Sequence, residues 1–420
     1  MFETRTLENG TRFLLANQPE AQSAAAMVMF SAGSRYEESA EAGIAHFAEH
    51  LFFKGTERRP SARDISFEVD SMGADFNAFT GKEYTGYYIK CTRDQVAQAL
   101  DVISDMLFHS RFDPEEVERE KGVIVEEMNM YTDTPAQYLP DVYDNLCFGD
   151  TPLGRPIIGN KDSIRDAKRD TFTGYLDRWY APERTFVGLG GGLEDSAIAA
   201  AEELFGSRPI FDTADYAPFA PATRDRVRLH TKDSDQFHLR IGGDGLPIGH
   251  PDRYIVQLLT TVLGGGMSSR LFSEVRERRG LAYYVYAQHG QYLDAGSLYT
   301  QAGVDLARAD EAVRTILAEL RKMRDEPVPA DELAKAKSYV RGRLVLGLED
   351  PRSIISFGLR GLVLEGKARE LTEVLDGFST VSADDIQRVA ADLLRPEALR
   401  IAAIGPVDDV ARFETLLDEA

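Results

Sequence analysis

Two stretches of this chain, residues 72–107 and 280–320, run through the same order of elements, and such a repeat constrains the fold to two units of one design. The first, MGADFNAFTGKEYTGYYIKCTRDQVAQALDVISDML, alternates like two antiparallel strands around a Gly81-Lys82 turn and then shifts to helical spacing. The second, GLAYYVYAQHGQYLDAGSLYTQAGVDLARADEAVRTILAEL, has the same aromatic strand, turn, strand, acidic break and amphipathic helix. Agreement continues downstream, where FDPEEVEREKGVIVEEM is answered by VPADELAKAKSYVRGRL, and DTFTGYLDRWYAPERTFVGLGG by DDIQRVAADLLRPEALRIAAIGP. In the last pair each helix meets a proline, Pro182 or Pro396, and a short apolar strand follows.

Between the halves, FGSRPIFDTADYAPFAPATRD contains Pro209, Pro218 and Pro221 and has no periodicity, as an extended linker would. The expectation is an α+β protein of two homologous domains, residues 1–205 and 226–420, joined by a linker over 206–225. Each domain should be a mainly antiparallel sheet packed with helices.

Charge narrows the function. There are 69 acids against 48 bases, a formal net charge of −21, and no local basic stripe, so nucleic acid is an unfavourable partner. Basic or neutral peptides suit such a surface better. No apolar run is long enough to cross a bilayer, and MFETRTLENGTRFLL lacks the basic-then-apolar pattern of a secretory signal. Cys91 and Cys147 are too few for a disulfide framework and read as small buried residues of a cytoplasmic protein. The glycine runs at 190–192 and 264–266 lack the lysine and Ser/Thr ending of a phosphate-binding loop and read as turns.

The chemistry concentrates in AGIAHFAEHLFFKGT. His46, Glu49 and His50 stand at i, i+3 and i+4 and so share one helical face, while Ile44, Phe47, Leu51 and Phe52 make the helix a buried one. Ionisable groups on a buried helix are costly unless something satisfies them. A zinc ion does so, taking two neutral imidazoles and leaving the carboxylate beside its open position. With seven histidines in 420 residues, a chance His-x-x-Glu-His is rare; the competing reading is a surface pair of histidines bridged to Glu49. A catalytic zinc normally takes three protein ligands. Candidates for the third lie in EEVEREKGVIVEEMNMYTDTP, read as a helix from Pro114, where Glu120 and Glu127 are two turns apart on one face near Val123, Ile124 and Met128.

HFAEH resembles the inverted zinc motif of the pitrilysin and insulin-degrading metallopeptidases, a family that includes the mitochondrial processing peptidases. The resemblance covers nearly the whole chain and implies one zinc per chain. It implies His46, His50 and Glu127 as ligands, Glu127 standing 77 positions after His50 where the family has its third ligand, with Glu126 adjacent. It implies Glu49 as general base and Glu120 as the residue that orients and tunes the site. Asn77, Ala78, Phe79 and Thr80 match the strand that pairs with substrate backbone. Arg276 and Tyr283, in GGGMSSRLFSEVRERRGLAYYVYA, match the family's arginine and tyrosine that contact substrate, and Tyr283 would donate to the developing oxyanion.

By the same resemblance the halves pair into a clam-shell, and a short member of this kind forms a homodimer, or a heterodimer with a paralogue. The implied activity is a zinc endopeptidase that hydrolyses peptides and small unfolded polypeptides in an enclosed chamber. The alternative is a non-catalytic paralogue that binds peptides or supports a complex, but such relatives usually lose zinc-motif residues. One departure bears on substrate. Where processing peptidases use two acids to read a presequence arginine, this chain has Gln137 and Asp141, so presequence processing is not expected.

Overall fold

The structure, a computed structural model, describes residues 1–214, 216–221 and 224–419. Eleven strands make two sheets among these residues. The first is built from β1 (Glu3–Thr6), β2 (Arg12–Asn17), β3 (Ser23–Phe30), β4 (Asp75–Thr80), β5 (Thr85–Thr92) and β6 (Thr185–Gly191), in the order β1-β2-β6-β3-β5-β4. The second has β7 (Val227–Thr231), β8 (Gln236–Asp244), β9 (Ala282–Gln291), β10 (Gly296–Asp305) and β11 (Arg400–Gly405), in the order β7-β11-β8-β10-β9. With β1 set aside, the two orders coincide strand for strand. Each sheet has one parallel pair, β2 with β6 and β7 with β11, and is otherwise antiparallel. The sequence repeat is thus a repeat of topology.

The β4–β5 hairpin turns at the expected Gly81-Lys82, where the Gly81 N–H donates to the Tyr84 carbonyl at 2.8 Å. Beside it β3 is apolar from Ala24 to Phe30, because a strand alternates sides and both sides of this sheet are covered. Ala24, Ala26, Val28 and Phe30 join one core, and Ala25, Met27 and Met29 the other. The first core takes up helices from the first half, among them Val96–His109. The second is closed by the helix Pro351–Glu365 through Ile354, Ile355, Leu359 and Leu362. That helix approaches closely: a Cβ on Gly188 would stand 2.6 Å from Leu359 Cδ1, and one on Gly190 2.6 Å from Ile355 Cγ2.

In the second sheet the corresponding cover is the helix Pro135–Phe148, whose Leu139, Val142, Tyr143 and Leu146 pack with Ala402 and Ile404 of β11. Each sheet therefore takes one covering helix from the other half of the sequence. The compact units follow packing, not chain order. One comprises Met1–Met128, Pro156–Ala217 and Val345–Leu371, the other Asn129–Arg155, Pro218–Leu344 and Thr372–Ala420. A division into 1–205, 206–225 and 226–420 differs from these boundaries because an apolar sheet face must be covered by whatever helix reaches it.

Of the expected linker, Asp215, Ala222 and Thr223 lie outside the described residues, as does Ala420 at the end of the second expected domain. Neighbouring linker residues are partnered: the Phe219 N–H donates to Asp294 at 2.8 Å, and Arg208 donates to the Tyr180 carbonyl at 2.5 Å. Cys91 and Cys147 are buried free thiols. No described helix is long and apolar enough to cross a membrane.

Candidate metal centre

The helix Ile44–Phe52 is set by its ends and its buried face. It begins after Gly43, whose φ of 95° is left-handed and whose absent Cβ would stand 2.5 Å from the Ile158 carbonyl oxygen. The buried carboxylate of Glu37 accepts from the Gly43 and Ala45 N–H groups at 2.8 and 2.7 Å, a negative charge where the macrodipole favours one. Phe47 packs edge-on against Phe172, and Phe52 against Tyr87 and Phe112. With that face committed to the core, the 3.6-residue repeat turns His46, Glu49 and His50 the other way. The two imidazole rings lie 4.7 Å apart.

The helix Pro114–Asp133 supplies the acids. It is anchored by buried Val117, Ile124 and Met128, and the same periodicity directs Glu120 and Glu127 at the histidines. Glu127 oxygens lie 3.8 Å from His46 Nε2 and 3.6 Å from His50 Nε2. One donor atom from each of His46, His50 and Glu127 falls within 4.8 Å of the others. Zinc bonds of about 2.1 Å in a tetrahedron set donors about 3.4 Å apart, so this nitrogen and oxygen set fits the ion. Among the described residues it is the single grouping of this kind, and it contains Glu127 and not Glu126.

Glu120 stands behind His50. Its carboxylate accepts from His50 Nδ1 at 2.9 Å and pairs with Lys54 at 2.6 Å. Burial pushes the Glu120 carboxyl up, but the His50 and Lys54 contacts outweigh it and hold the group below its ordinary value. An ionised carboxylate only accepts, so the shared proton sits on Nδ1, and Nε2 is the nitrogen that faces Glu127 and is placed to ligate. Burial, with a smaller contribution from His50, pushes His46 down to about 4, so its imidazole is neutral and able to ligate. The Glu127 carboxyl is raised by burial, with His50 opposing.

Glu49 does not join the ligand grouping. The Thr80 hydroxyl donates to its Oε2. Burial raises the Glu49 carboxyl and outweighs this bond. Thr80 ends β4, the outer strand of its sheet, paired on one side by β5. Alternation divides the four strand residues singled out by the family resemblance. Ala78 and Thr80 face the zinc-motif helix side, while Asn77 and Phe79 face the other, where Phe79 packs on the second core and meets Tyr84 edge-on. Asn77 turns its side chain onto the backbone, accepting from the Ala78 N–H at 2.8 Å.

Arg276 and Tyr283 belong to the second unit and lie together there. Arg276 is in a π-helical turn, Phe272–Arg278, with its guanidinium over the rings of Phe272 and Tyr283 at 4.8 and 5.5 Å from their centroids. Tyr283, on edge strand β9, is 75% exposed, which leaves its hydroxyl accessible. The helix Arg253–Gly264, at the topological position of Ile44–Phe52, carries no histidine.

Three further partners emerge from the structure. Lys54 was legible, being one turn beyond His50 on the same face. Thr80 matches the substrate strand by resemblance, but its bond to Glu49 depends on how β4 lies against the helix. Glu37 had no local signal, since it reaches the helix end through an irregular turn.

Comparison with known proteins gives a consistent result. The sequence model described as Insulinase (Peptidase family M16) matches residues 12–161, and Peptidase M16 inactive domain matches 166–340. The chain is similar to the uncharacterized zinc protease YmxG of Bacillus subtilis, 36% identical over 413 residues that cover 97% of this chain and 98% of the relative. Among solved structures it is similar to a protease from Helicobacter pylori, with a TM-score of 0.89 at 22% identity over 97% of this chain and 99% of that one. A peptidase M16 inactive domain from Pseudomonas fluorescens also gives 0.89, at 19% identity over 97% and 98% of the two chains. At those identities the structures speak for the fold alone.

Proposed function

The chain belongs to the insulinase family of peptidases, M16, and on that premise we propose that it is a zinc endopeptidase acting on peptides and small unfolded polypeptides, with Glu49 as general base. The observation that carries this reading is the convergence of His46, His50 and Glu127 donors within 4.8 Å on the helix face that also bears Glu49. His46, His50 and Glu127 would hold the metal. Zinc held there would supply Lewis acidity, enough to make water a competent nucleophile near neutral pH and to polarise the scissile carbonyl.

The protein's own groups do the rest. Glu49 takes the proton of the attacking water and returns it to the leaving amine, and burial raises its proton affinity toward that task. The Thr80 hydroxyl fixes the Glu49 carboxylate. Glu120 keeps the His50 ring in one tautomer and one orientation, with Lys54 offsetting its charge. The free side of β4 pairs with substrate backbone, which favours extended chains and is tolerant of sequence. Arg276 and Tyr283 contact substrate, the tyrosine hydroxyl donating to the oxyanion. The test is cleavage of a mixed library of unstructured peptides, with Glu49→Gln as the blank; no cleavage by a zinc-loaded wild-type chain overturns the reading.

Replacing Glu120 with Gln should weaken zinc binding about 10–100-fold while the fold stays intact, because a neutral amide holds His50 less firmly. Competition against a chromophoric chelator measures this, and an unchanged affinity would reduce Glu120 to a structural partner of Lys54.

A homodimer is part of the same proposal, with Arg276 and Tyr283 of each copy serving substrate bound at the other copy's zinc. Glu49→Gln and Arg276→Ala/Tyr283→Ala chains should each be nearly inactive alone. Mixed and allowed to exchange in equal amounts, they should recover up to about a quarter of wild-type activity, since half the dimers then have one intact site. Demonstrated exchange without recovery would show that the two residues act within their own chain or serve only the fold.

A further inference from the structure

Strand β8 carries a buried cation that forms no ion pair with a described carboxylate. Arg240 is 5% exposed. Its Nε donates to Gln301 Oε1 at 2.7 Å, and its guanidinium lies 4.0 Å from the ring centroid of Tyr299 and 5.7 Å from that of Tyr143. Among the described residues no carboxylate pairs with it, and its two terminal nitrogens carry no hydrogen bond. Other buried arginines of this chain are neutralised: Arg35 pairs with Glu83 at 2.5 Å, and Arg59 with Glu68, Asp101 and Asp105 at 2.7 Å each.

The surroundings of Arg240 are suited to an anion. Strand register sets Arg240, Gln301 and Tyr286 in one row across β8, β10 and β9. The next row holds Tyr299 opposite Gln288, with the Tyr299 hydroxyl donating to Gln288 at 2.8 Å. On the other side of Arg240, His238 meets the Tyr284 hydroxyl at 2.9 Å. On this face the positions next to Arg240 across the three strands offer hydroxyls, amides and rings, and the strand carboxylates, Asp244 and Asp305, stand only at the far ends of β8 and β10. A guanidinium that is desolvated, held by stacking and one hydrogen bond, and left with its outer nitrogens unused is prepared for a charge-assisted pair.

We propose that Arg240, with Gln301, Tyr299 and Tyr286, is a binding site for a carboxylate of the peptide substrate, either its C-terminal group or an Asp or Glu side chain. Only the identity of the ligand as a peptide rests on the peptidase reading. The site gives an acidic protein a local means of accepting an acidic group that its overall field disfavours.

Calorimetric binding to the Glu49→Gln chain, which holds substrate without cutting it, tests this with three peptides of one sequence. One has a free C-terminus and an internal Gln, one an amidated C-terminus and an internal Glu, and one is amidated with Gln. A hydrogen-bonded charge pair implies that one or both acidic forms bind about tenfold or more tightly than the neutral form. The form that shows the gap identifies the carboxylate read. Adding Arg240→Gln should abolish the gap, and Arg240→Lys should retain part of it, with circular dichroism confirming that each variant is folded.

No gap on the Arg240 background overturns the proposal whatever the variants do. A gap that persists undiminished in a folded Arg240→Gln chain also overturns it and leaves Arg240 a stacking residue. Cleavage by the chain with Glu49 intact is scored separately. Selective binding without cleavage overturns the peptidase reading and leaves the carboxylate site standing.

Discussion

Replacing Glu49 with Gln should leave zinc in place and lower the turnover of peptide hydrolysis by about 10²–10⁴-fold, the range that a positioned general base contributes. The substitution keeps the side chain's size and can keep the Thr80 hydroxyl bond, since the amide oxygen also accepts. It removes only the ability to take a proton from water. Metal content should not change, because Glu49 lies outside the donor grouping of His46, His50 and Glu127. Rapid-quench kinetics and metal analysis on one preparation read both quantities. A variant that stays fast would place the base elsewhere, and one that loses its metal would make Glu49 a ligand.

The second large effect is expected at Glu127. On the proposed ligand set, Glu127→Gln would exchange an anionic ligand for a neutral amide oxygen beside two imidazole donors. Zinc affinity should fall by more than the about 10–100-fold expected for Glu120, which acts on the metal only through His50. Activity should fall with occupancy and return in part with excess zinc. Glu126→Gln is the control, because Glu126 is the adjacent carboxylate and is outside the donor grouping. Full occupancy and activity in Glu127→Gln, with loss in Glu126→Gln, would transfer the third ligand by one residue.

How far such assignments were legible in the sequence depends on the range of the interaction. His46, Glu49 and His50 share a face because 3.6 residues make a turn, and Glu120 and Glu127 do so for the same reason. Local periodicity was enough for both sets. That the two helices face each other is tertiary, and it entered through the family spacing between His50 and Glu127. The β4–β5 hairpin and its counterpart were visible because alternation and turn residues are short-range. The exchange of covering helices was not, since Pro351–Glu365 is amphipathic whichever sheet it covers, and only packing on Ile355 and Leu359 decides the matter. Arg240 is inconspicuous in the sequence for a similar reason. In HLRIGGD it resembles any strand arginine on a wet face, and its burial between Tyr143 and Tyr299 requires a helix a hundred residues upstream in the chain.

The most direct test is a zinc titration of metal-free chain, followed by the cleavage rate of an unstructured peptide. Activity should be absent without metal, rise in proportion to added zinc, and level off at about one equivalent per chain, as a three-ligand site predicts. Glu49→Gln should bind the same equivalent and remain inactive throughout. Full activity in the metal-free chain, or stoichiometric zinc binding with no cleavage at any occupancy, would contradict a zinc peptidase built on His46, His50 and Glu127.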